Sequence, residues 1–240
     1  MKGDALRRLR PQMQMIFQDP YSSLNPRMSV YDTIAEMLRV HKVVPAEELP
    51  ARVEQLLTMS GLTMDIAERF PGEFSGGQRQ RIGIARALSL NPAFIVADEP
   101  VSALDVSIQA QIINLLAQLQ RELELTVLFI SHDLRVVRHI THRVMVMYLG
   151  SNVEVGPTEA IFQHPAHPST QVPTKAAPKL DPLNRQRDYA IEGEPPSPIH
   201  TPTGCKFHPR CPYCTDKCRS EVPELKEIAP GHLCACHYPL

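Results

Sequence analysis

The chain has 240 residues, of which 43% are hydrophobic and 21% charged, and its formal net charge is −1. This composition excludes a disordered chain, and the balance of 25 basic against 26 acidic residues gives no overall attraction to nucleic acid. No stretch approaches the roughly 20 uncharged apolar residues of a membrane-spanning helix. The basic N-terminus is followed by no apolar region typical of a secretory signal, so we expect a soluble, intracellular protein.

Hydrophobic spacing predicts alternating strands and helices. In chain order they are a strand at 13–17, helices at 29–38, 51–59 and 75–90, a strand at 93–98, a helix at 106–123, and strands at 126–131, 144–150 and 151–156. Ser29 and Ser75 are the expected N-caps, and Gly76 and Gly77 are expected to allow unusual backbone angles. AFIVAD and TVLFIS are continuous apolar runs up to a polar last residue, as in fully buried strands of a parallel sheet covered by helices.

Polar residues follow three of the predicted strands, at the edge of the sheet where ligands bind. Asp98 and Glu99 alone could be an ordinary strand end, but together they also suit Mg²⁺ binding and activation of a water for attack on phosphate. His132 alone is most often structural, yet at this edge it can bond a terminal phosphate. Gln18 is either a loop residue or a contact to Mg²⁺ or the attacking water.

The segment FSGGQRQR opens a predicted helix in a way that suits a phosphate. Its Ser75-Gly76-Gly77-Gln78 start exposes backbone N–H groups at the positive end of the helix dipole. The alternative is a flexible hinge capped by Ser75. Asp105 likewise either contacts a ligand or simply begins the next helix.

Together these motifs resemble the ATP-binding subunits of ABC transporters. The matching positions are the Q-loop Gln18, the signature Ser75-Gly76-Gly77-Gln78, the Walker B Asp98 with the catalytic Glu99, the D-loop Ser102-Ala103-Leu104-Asp105 and the switch His132. The resemblance implies an α/β fold, an incomplete P-loop NTPase of the ABC type with a parallel sheet core and an α-helical signature subdomain. It also implies ATP hydrolysis with ATP and Mg²⁺ bound.

Two segments resemble the branch of the family that serves peptide and nickel importers. QDPYSSLNPR at 18–27 is similar to its extended Q-loop, and the Cys-rich tail is similar to its C-terminal extension. The resemblance implies a second ATP-binding subunit in a homo- or heterodimer, two transmembrane permease subunits, an indirect peptide-binding protein and no nucleic acid. It places the chain in the cytoplasm, peripheral on the inner face of the cell membrane, with residues 31–39 in the subdomain that receives a permease coupling helix.

The chain contains no P-loop motif, because none of its 11 glycines is followed by lysine. The resemblance implies that this motif would lie upstream of Met1, which leaves a wrong start, a gene remnant or a real half-domain as explanations. We expect the chain alone neither to bind MgATP tightly nor to hydrolyse it, and its sheet to expose edges and apolar surface. The rival functions are a non-transport ABC ATPase of DNA repair or chromosome maintenance and a catalytically silent metal-binding interaction module.

All six cysteines lie within the last 36 residues. In an intracellular protein a metal site is expected rather than disulfides, and Cys211-x₂-Cys214 has a metal-ligand spacing. The resemblance implies Cys205, Cys211, Cys218 and Cys236 as the ligands of a [4Fe–4S] cluster, with zinc as the alternative. Cys214 and Cys234 would be additional.

The predicted organisation has five segments. They are 1–27 with a core strand and the Q-loop, 28–90 as the helical subdomain, 91–156 as the RecA-like core, 157–203 as a Pro-rich arm, and 204–240 as the Cys-rich extension. Members of the family carry a His-Pro-Tyr-Thr stretch and a helix in the arm. Here Pro173 and Pro178 are expected to interrupt any such helix.

Overall fold

The structure is a computed structural model that describes residues 3–176, 193–194 and 196–240. The chain divides after His132 into two compact units. Over the residues described, no helix has both the length and the apolar character needed to cross a membrane.

The first unit has the strands and helices that were predicted, preceded by one helix, α1 (Asp4–Leu9), that was not. Its elements are α1 (Asp4–Leu9), β1 (Met13–Ile16), α2 (Val30–His41), α3 (Leu49–Met59), α4 (Gly76–Leu88), β2 (Phe94–Asp98), α5 (Val106–Glu122) and β3 (Thr126–Ile130). Both predicted N-caps are confirmed, since the hydroxyl of Ser29 accepts from Asp32 N at 3.1 Å and that of Ser75 accepts from Gln78 N at 3.3 Å.

The three strands form a parallel sheet in the order β1-β2-β3, with β2 in the centre. Ile16 lies opposite Ala97, and Asp98 lies opposite Ile130, so the carboxyl ends of the strands meet at one edge. This topology brings the loops that follow the three strands together.

The core of the first unit lies between its helices and one face of the sheet. Buried aliphatic side chains come from α2, α3, α4, α5 and β2: Ile34, Leu38, Val53, Leu56, Ile82, Ile84, Ile95, Ile112 and Leu116. Burial of each side chain contributes about 1.5–3 kcal/mol to the stability of the fold. The loops at the edge of the sheet are therefore attached to a well-packed core.

The prediction that β3 is fully buried is wrong. Leu128 is 50% and Ile130 is 42% exposed, and on β2 the buried positions Ile95 and Ala97 alternate with half-buried ones. Within the residues described, β3 pairs with β2 alone, so one edge and part of one face remain open. The expectation of exposed apolar surface on the sheet is confirmed, and Met13 on β1 is 46% exposed as well.

The second unit is built on a separate antiparallel sheet. Its elements are α6 (Leu134–Ile140), β4 (Arg143–Tyr148), β5 (Ser151–Pro157), α7 (Thr158–Gln163), α8 (Pro168–Ala176), α9 (Asp216–Ser220), β6 (Lys226–Ala229) and β7 (His232–Cys234). The sheet has the order β4-β5-β7-β6 and therefore joins strands on both sides of the Pro-rich segment. The division into five segments stays a prediction.

Helix α8 corrects the prediction for Pro173. The helix runs through this residue, so the proline does not interrupt it. A proline inside a helix loses its own N–H bond and crowds the carbonyl four residues earlier, yet this helix continues to Ala176. Its start is held by His167, whose Nδ1 accepts from Ser169 N at 3.1 Å. The segment His167-Pro168-Ser169-Thr170 therefore opens a helix in the arm, where the sequence predicted none. Pro178 lies outside the described residues.

Candidate active site

Three predicted site residues follow the three strands of the parallel sheet. Gln18 comes two residues after the end of β1, Glu99 directly after β2, and His132 two residues after β3. The sheet therefore delivers an amide, a carboxylate and an imidazole to the same edge, as the sequence predicted.

The carboxylate of Glu99 joins the other two side chains. Its Oε2 accepts from Gln18 Nε2 at 2.9 Å, and its Oε1 lies 3.2 Å from His132 Nδ1. The side chain of Glu99 is 26% exposed and that of His132 is 72% exposed. We call Gln18, Glu99 and His132 the Glu99 cluster.

The backbone fixes Glu99 in an uncommon conformation. Its φ is 42°, in the left-handed region that a non-glycine residue enters at a cost of about 1–3 kcal/mol. Glu99 N donates to Ile130 O at 3.0 Å, and Glu99 O accepts from Ser102 N at 3.2 Å and from Ser102 Oγ at 3.1 Å. These bonds hold the turn after β2, so the backbone conformation, and not only the side-chain rotamer, sets the direction of the Glu99 carboxylate.

Asp98 closes β2 directly before this turn and is half-buried. Its carboxylate offers oxygen ligands of the type that Mg²⁺ prefers. It therefore lies beside the Glu99 cluster in sequence and at the same edge of the sheet.

The signature residues form a separate, self-contained cap. Gln78 N donates to Ser75 Oγ, and Ser75 N donates to Gln78 Oε1 at 3.0 Å, which is a capping box. Asp105 is the exposed residue before α5 and carries no side-chain cap bond. In the described part of the chain, no hydrogen bond joins these three residues to the Glu99 cluster.

The signature requires glycine at positions 76 and 77 for a different reason than the sequence predicted. Gly76 and Gly77 are helical, and neither has a positive φ. A β-carbon on Gly76 would lie 3.1 Å from Leu104 Cδ2, and one on Gly77 would lie 2.6 Å from Ile108 Cγ2. The start of α4 therefore packs closely against the segment that begins α5, and only glycine leaves room for this approach.

Two arginines of α4 contact the loop that carries Gln18, and sequence reasoning missed them. Arg86 Nη1 donates to Ser23 O, and its guanidinium carbon lies 5.9 Å from the ring centre of Phe17. Arg79 lies 5.1 Å from the ring centre of Tyr21. The signal was the spacing of the arginines, seven residues apart and so on one helix face, together with the aromatic residues near Gln18.

In the second unit, the four cysteines that the resemblance selected line one small pocket. Cys205, Cys211, Cys218 and Cys236 share it with His208 and His237, among others. Cys214 and Cys234 are not among its lining residues. The assignment of these four thiols as metal ligands stays a prediction.

The thiols influence one another. Burial first, and then the neighbouring Cys236, Cys205 and Cys218, raise the pKa of Cys211 to about 11. Burial likewise raises the pKa of Cys205 and of Cys236. Because the raised pKa values keep these thiols protonated near neutral pH, a metal would have to displace their protons to bind. As they stand, no three or more His, Cys, Asp or Glu side chains among the residues described are arranged to hold a metal ion.

A buried carboxylate ties the second unit together. Glu154 on β5 accepts from Ala166 N at 2.8 Å and from His167 N at 2.9 Å, and its Oε1 lies 2.7 Å from His232 Nε2 on β7. Burial lowers the pKa of His167 to about 4. A lone glutamate in the strand pattern SNVEVG gave no signal of this junction.

The sheet, the Glu99 cluster and the capped signature helix define an ABC-type nucleotide-binding protein, and solved structures agree. The chain is similar to cbiO1 from Clostridium perfringens, part of the ABC transporter complex cbiONQ, with a TM-score of 0.62 and 28% identity, over 68% of this chain and 64% of that one. It is also similar to a dimeric ATP-binding cassette in a post-hydrolysis state bound to ADP and Pi, with a TM-score of 0.58 and 31% identity, over 66% of this chain and 68% of that one.

Sequence comparisons identify the branch of the ABC transporter family to which the chain is similar. Residues 1–102 match the ABC transporter family model, and residues 153–218 match the model of the oligopeptide/dipeptide transporter C-terminal region. The chain is 51% identical to a probable peptide ABC transporter ATP-binding protein of Sinorhizobium fredii, over 99% of this chain and 67% of that protein. It is 52% identical to the oligopeptide transport ATP-binding protein AppF of Bacillus subtilis, over 95% of this chain and 70% of that protein.

The chain therefore belongs to the family of peptide ABC transporter ATP-binding subunits. It spans about two thirds of the length of these relatives. The family does not support the rival interpretation as a DNA-repair or chromosome-maintenance ATPase.

Proposed function

We propose that the chain is the ATP-hydrolysing part of a subunit that powers peptide import across the cell membrane, with Glu99 as general base. The observation that carries this proposal is the carboxylate of Glu99 held between Gln18 and His132 at the carboxyl edge of a parallel sheet. Family membership supports ATP as the substrate and a peptide as the cargo.

The Glu99 cluster can activate a water for attack on the terminal phosphate of ATP. Glu99 takes the proton, Gln18 fixes one carboxylate oxygen through its amide, and the other oxygen is turned towards His132. The imidazole of His132 is largely exposed, so it can reach a phosphate oxygen as charge develops there. Asp98 would hold Mg²⁺, which neutralises charge on the phosphates.

The signature residues serve a second nucleotide in this proposal. Ser75, Gly76, Gly77 and Gln78 present the N-terminal backbone of α4, and Asp105 begins α5 beside them. Supported by the family resemblance, we propose that these residues contact ATP bound to a second ATP-binding subunit, in a homo- or heterodimer. The helix dipole favours a phosphate at this position.

The 240-residue chain by itself is proposed to be inactive. The sequence contains no G-x-x-x-x-G-K-[ST] segment, which would supply the backbone cradle and the lysine charge for the phosphates. The Glu99 cluster provides a base but no such cradle, so tight binding of MgATP is not expected from the chain alone.

The permease partner is proposed to dock on the first unit, which would lie peripherally on the cytoplasmic face of the membrane. A groove of about 720 Å³ is lined on one side by Thr33, Glu36, Met37 and His41 of α2. Gln14, Met15 and Phe17, just before Gln18, line it as well. A permease helix in this groove would touch both the helical subdomain and the strand that leads into the Glu99 cluster.

The decisive experiment compares the chain alone with the assembly from its own cells. A tagged chain is purified with its bound partners, identified by mass spectrometry, and ATP hydrolysis is measured with and without peptides. We expect permease subunits in the assembly and peptide-stimulated hydrolysis there, where the phosphate cradle is supplied by polypeptide outside these 240 residues, with none from the isolated 240-residue chain. An assembly with permeases but no hydrolysis would favour the silent metal-binding module, and hydrolysis by the chain alone would contradict its proposed inactivity.

For the tail we propose a metal centre held by Cys205, Cys211, Cys218 and Cys236, a [4Fe–4S] cluster with zinc as the alternative. The shared pocket supports it, although the thiols would have to lose their protons and rearrange to bind. Such a centre would link the loops of the tail by metal–thiolate bonds. Iron, sulfide and zinc analysis of anaerobically purified protein tests it, and absence of all three would contradict it.

A further inference from the structure

The loop from Phe17 to Leu24, here the Gln18 loop, is a compact turn. Asp19 organises it, because Asp19 Oδ1 accepts from Tyr21 N at 2.8 Å and Asp19 O accepts from Ser23 N at 3.2 Å. The first of these bonds lowers the pKa of Asp19. Leu24 is 3% exposed and anchors the end of the loop in the core. The loop is therefore ordered by its own bonds, but these do not decide where Gln18 points.

The C-terminal half of α4 holds this loop on both sides of Gln18. The guanidinium of Arg86 stands over the ring of Phe17, directly before Gln18, and its Nη1 donates to the carbonyl of Ser23 beyond it. Arg86 is half-buried, and the ring of Phe17 beneath it is 45% exposed. Burial also lowers the pKa of Arg86 from the ordinary value of 12.5.

Two turns earlier on the same helix face, Arg79 makes a similar contact with an aromatic ring of the Gln18 loop. Its guanidinium lies over Tyr21, and its Nε and Nη2 donate to Phe74 O at 2.9 and 2.6 Å. Phe74 directly precedes Ser75, the cap of α4. The helix that begins with the signature is thus bonded along one face to the loop that carries Gln18.

We propose that Arg86 is a positioning residue that keeps the amide of Gln18 on the carboxylate of Glu99, so that a displacement of α4 moves Gln18 with it. This inference rests on the proposed function, in which Gln18 and Glu99 act in hydrolysis. A helix of 13 residues is about 20 Å long and stiff, so the signature end and the Arg86 end move as one body.

The first test follows the loop without using nucleotide. The chain contains no tryptophan, so Phe17→Trp places a single fluorophore under the guanidinium of Arg86. Adding Arg86→Gln should increase acrylamide quenching of this tryptophan and shift its emission to longer wavelength. The matched control is Arg81→Gln, on the same helix, because Arg81 donates to Ser60 O and Gln111 Oε1 and does not touch the loop.

The second test is a double-mutant cycle in the assembly purified from its own cells. Arg86→Gln should lower kcat for ATP about 10- to 100-fold with little change in KM, because a small misplacement of a catalytic group costs that much. In a Gln18→Ala background the same substitution should change kcat less than about twofold, since both act on one contact. Arg86→Lys, which keeps the charge near Phe17, should recover part of the loss. If the Arg86 variants fold poorly, Phe17→Leu is the alternative, because Phe17 is exposed and its replacement should cause the same loss of kcat.

The outcomes separate the inference from the proposed function. Unchanged quenching with Arg86→Gln overturns the loop-holding role, whatever the rate of hydrolysis. Increased quenching with unchanged kcat, or additive losses with Gln18→Ala, overturns the positioning role. If Gln18→Ala itself leaves kcat unchanged, the proposed role of Gln18 fails and the positioning role with it, although the fluorescence result still stands as a statement about the loop.

Discussion

The backbone of Gly77 lies so close to Ile108 that an added β-carbon would come within 2.6 Å of its Cγ2 atom. This contact joins the start of the signature helix to the start of α5. It ties the signature to the helix that directly follows the D-loop.

We therefore expect Gly77→Ala to lower the free energy of unfolding by about 1–3 kcal/mol, the usual range for overpacking. Gly83→Ala is the matched control, because it lies on the same helix with open space around its β-carbon position. That change should be neutral or stabilise by up to about 1 kcal/mol, as alanine does in a helix. Urea unfolding of the two variants measures both effects, and equal midpoints would contradict the close packing.

The pocket in the second unit predicts which cysteines matter for the proposed metal centre. Cys211→Ser should remove most of the bound iron or zinc, because Cys211 lines the pocket with the other three thiols. Cys214→Ser should leave the metal content unchanged, since its thiol instead donates to the carbonyl of Thr215 at 3.5 Å. Metal analysis of the two purified variants decides, and equal loss from both would indicate a different ligand set.

Stability of the second unit should depend on pH through His167. Its pKa is lowered to about 4 by burial, whereas the unfolded chain takes up the proton near the ordinary value of 6.5, so stability is lost as pH falls from 6.5 towards 4. From about pH 7 to about pH 5 the loss should be about 2 kcal/mol, at 1.36 kcal/mol for each unit. Pulse proteolysis in urea measures it, and His167→Gln should flatten the dependence while the exposed His139→Gln should not.

Much of this architecture was predictable because its causes are local. The apolar runs at β1, β2 and β3 and the caps at Ser29 and Ser75 follow from neighbouring residues, and each is confirmed. The meeting of Gln18, Glu99 and His132 was also predictable, because parallel strands bring their carboxyl ends to one edge.

The remainder depends on contacts between residues far apart in the chain. The helical glycines of the signature are explained by Leu104 and Ile108, and the contacts of Arg86 by Phe17 and Ser23, and neither pairing can be read from one segment alone. The same holds for Glu154, whose partners come from a turn and from β7.

Replacement of Glu99 tests the central claim most directly. In the purified assembly, Glu99→Gln keeps the size of the side chain and its contact with Gln18 but removes the base, so ATP hydrolysis should fall by about 10²–10⁴-fold while ATP binding persists. Glu47→Gln, at an exposed position in the helical region, is the matched control and should hydrolyse at the rate of the unmodified assembly. Hydrolysis by the Glu99→Gln assembly at the control rate would contradict the assignment of Glu99 as the base.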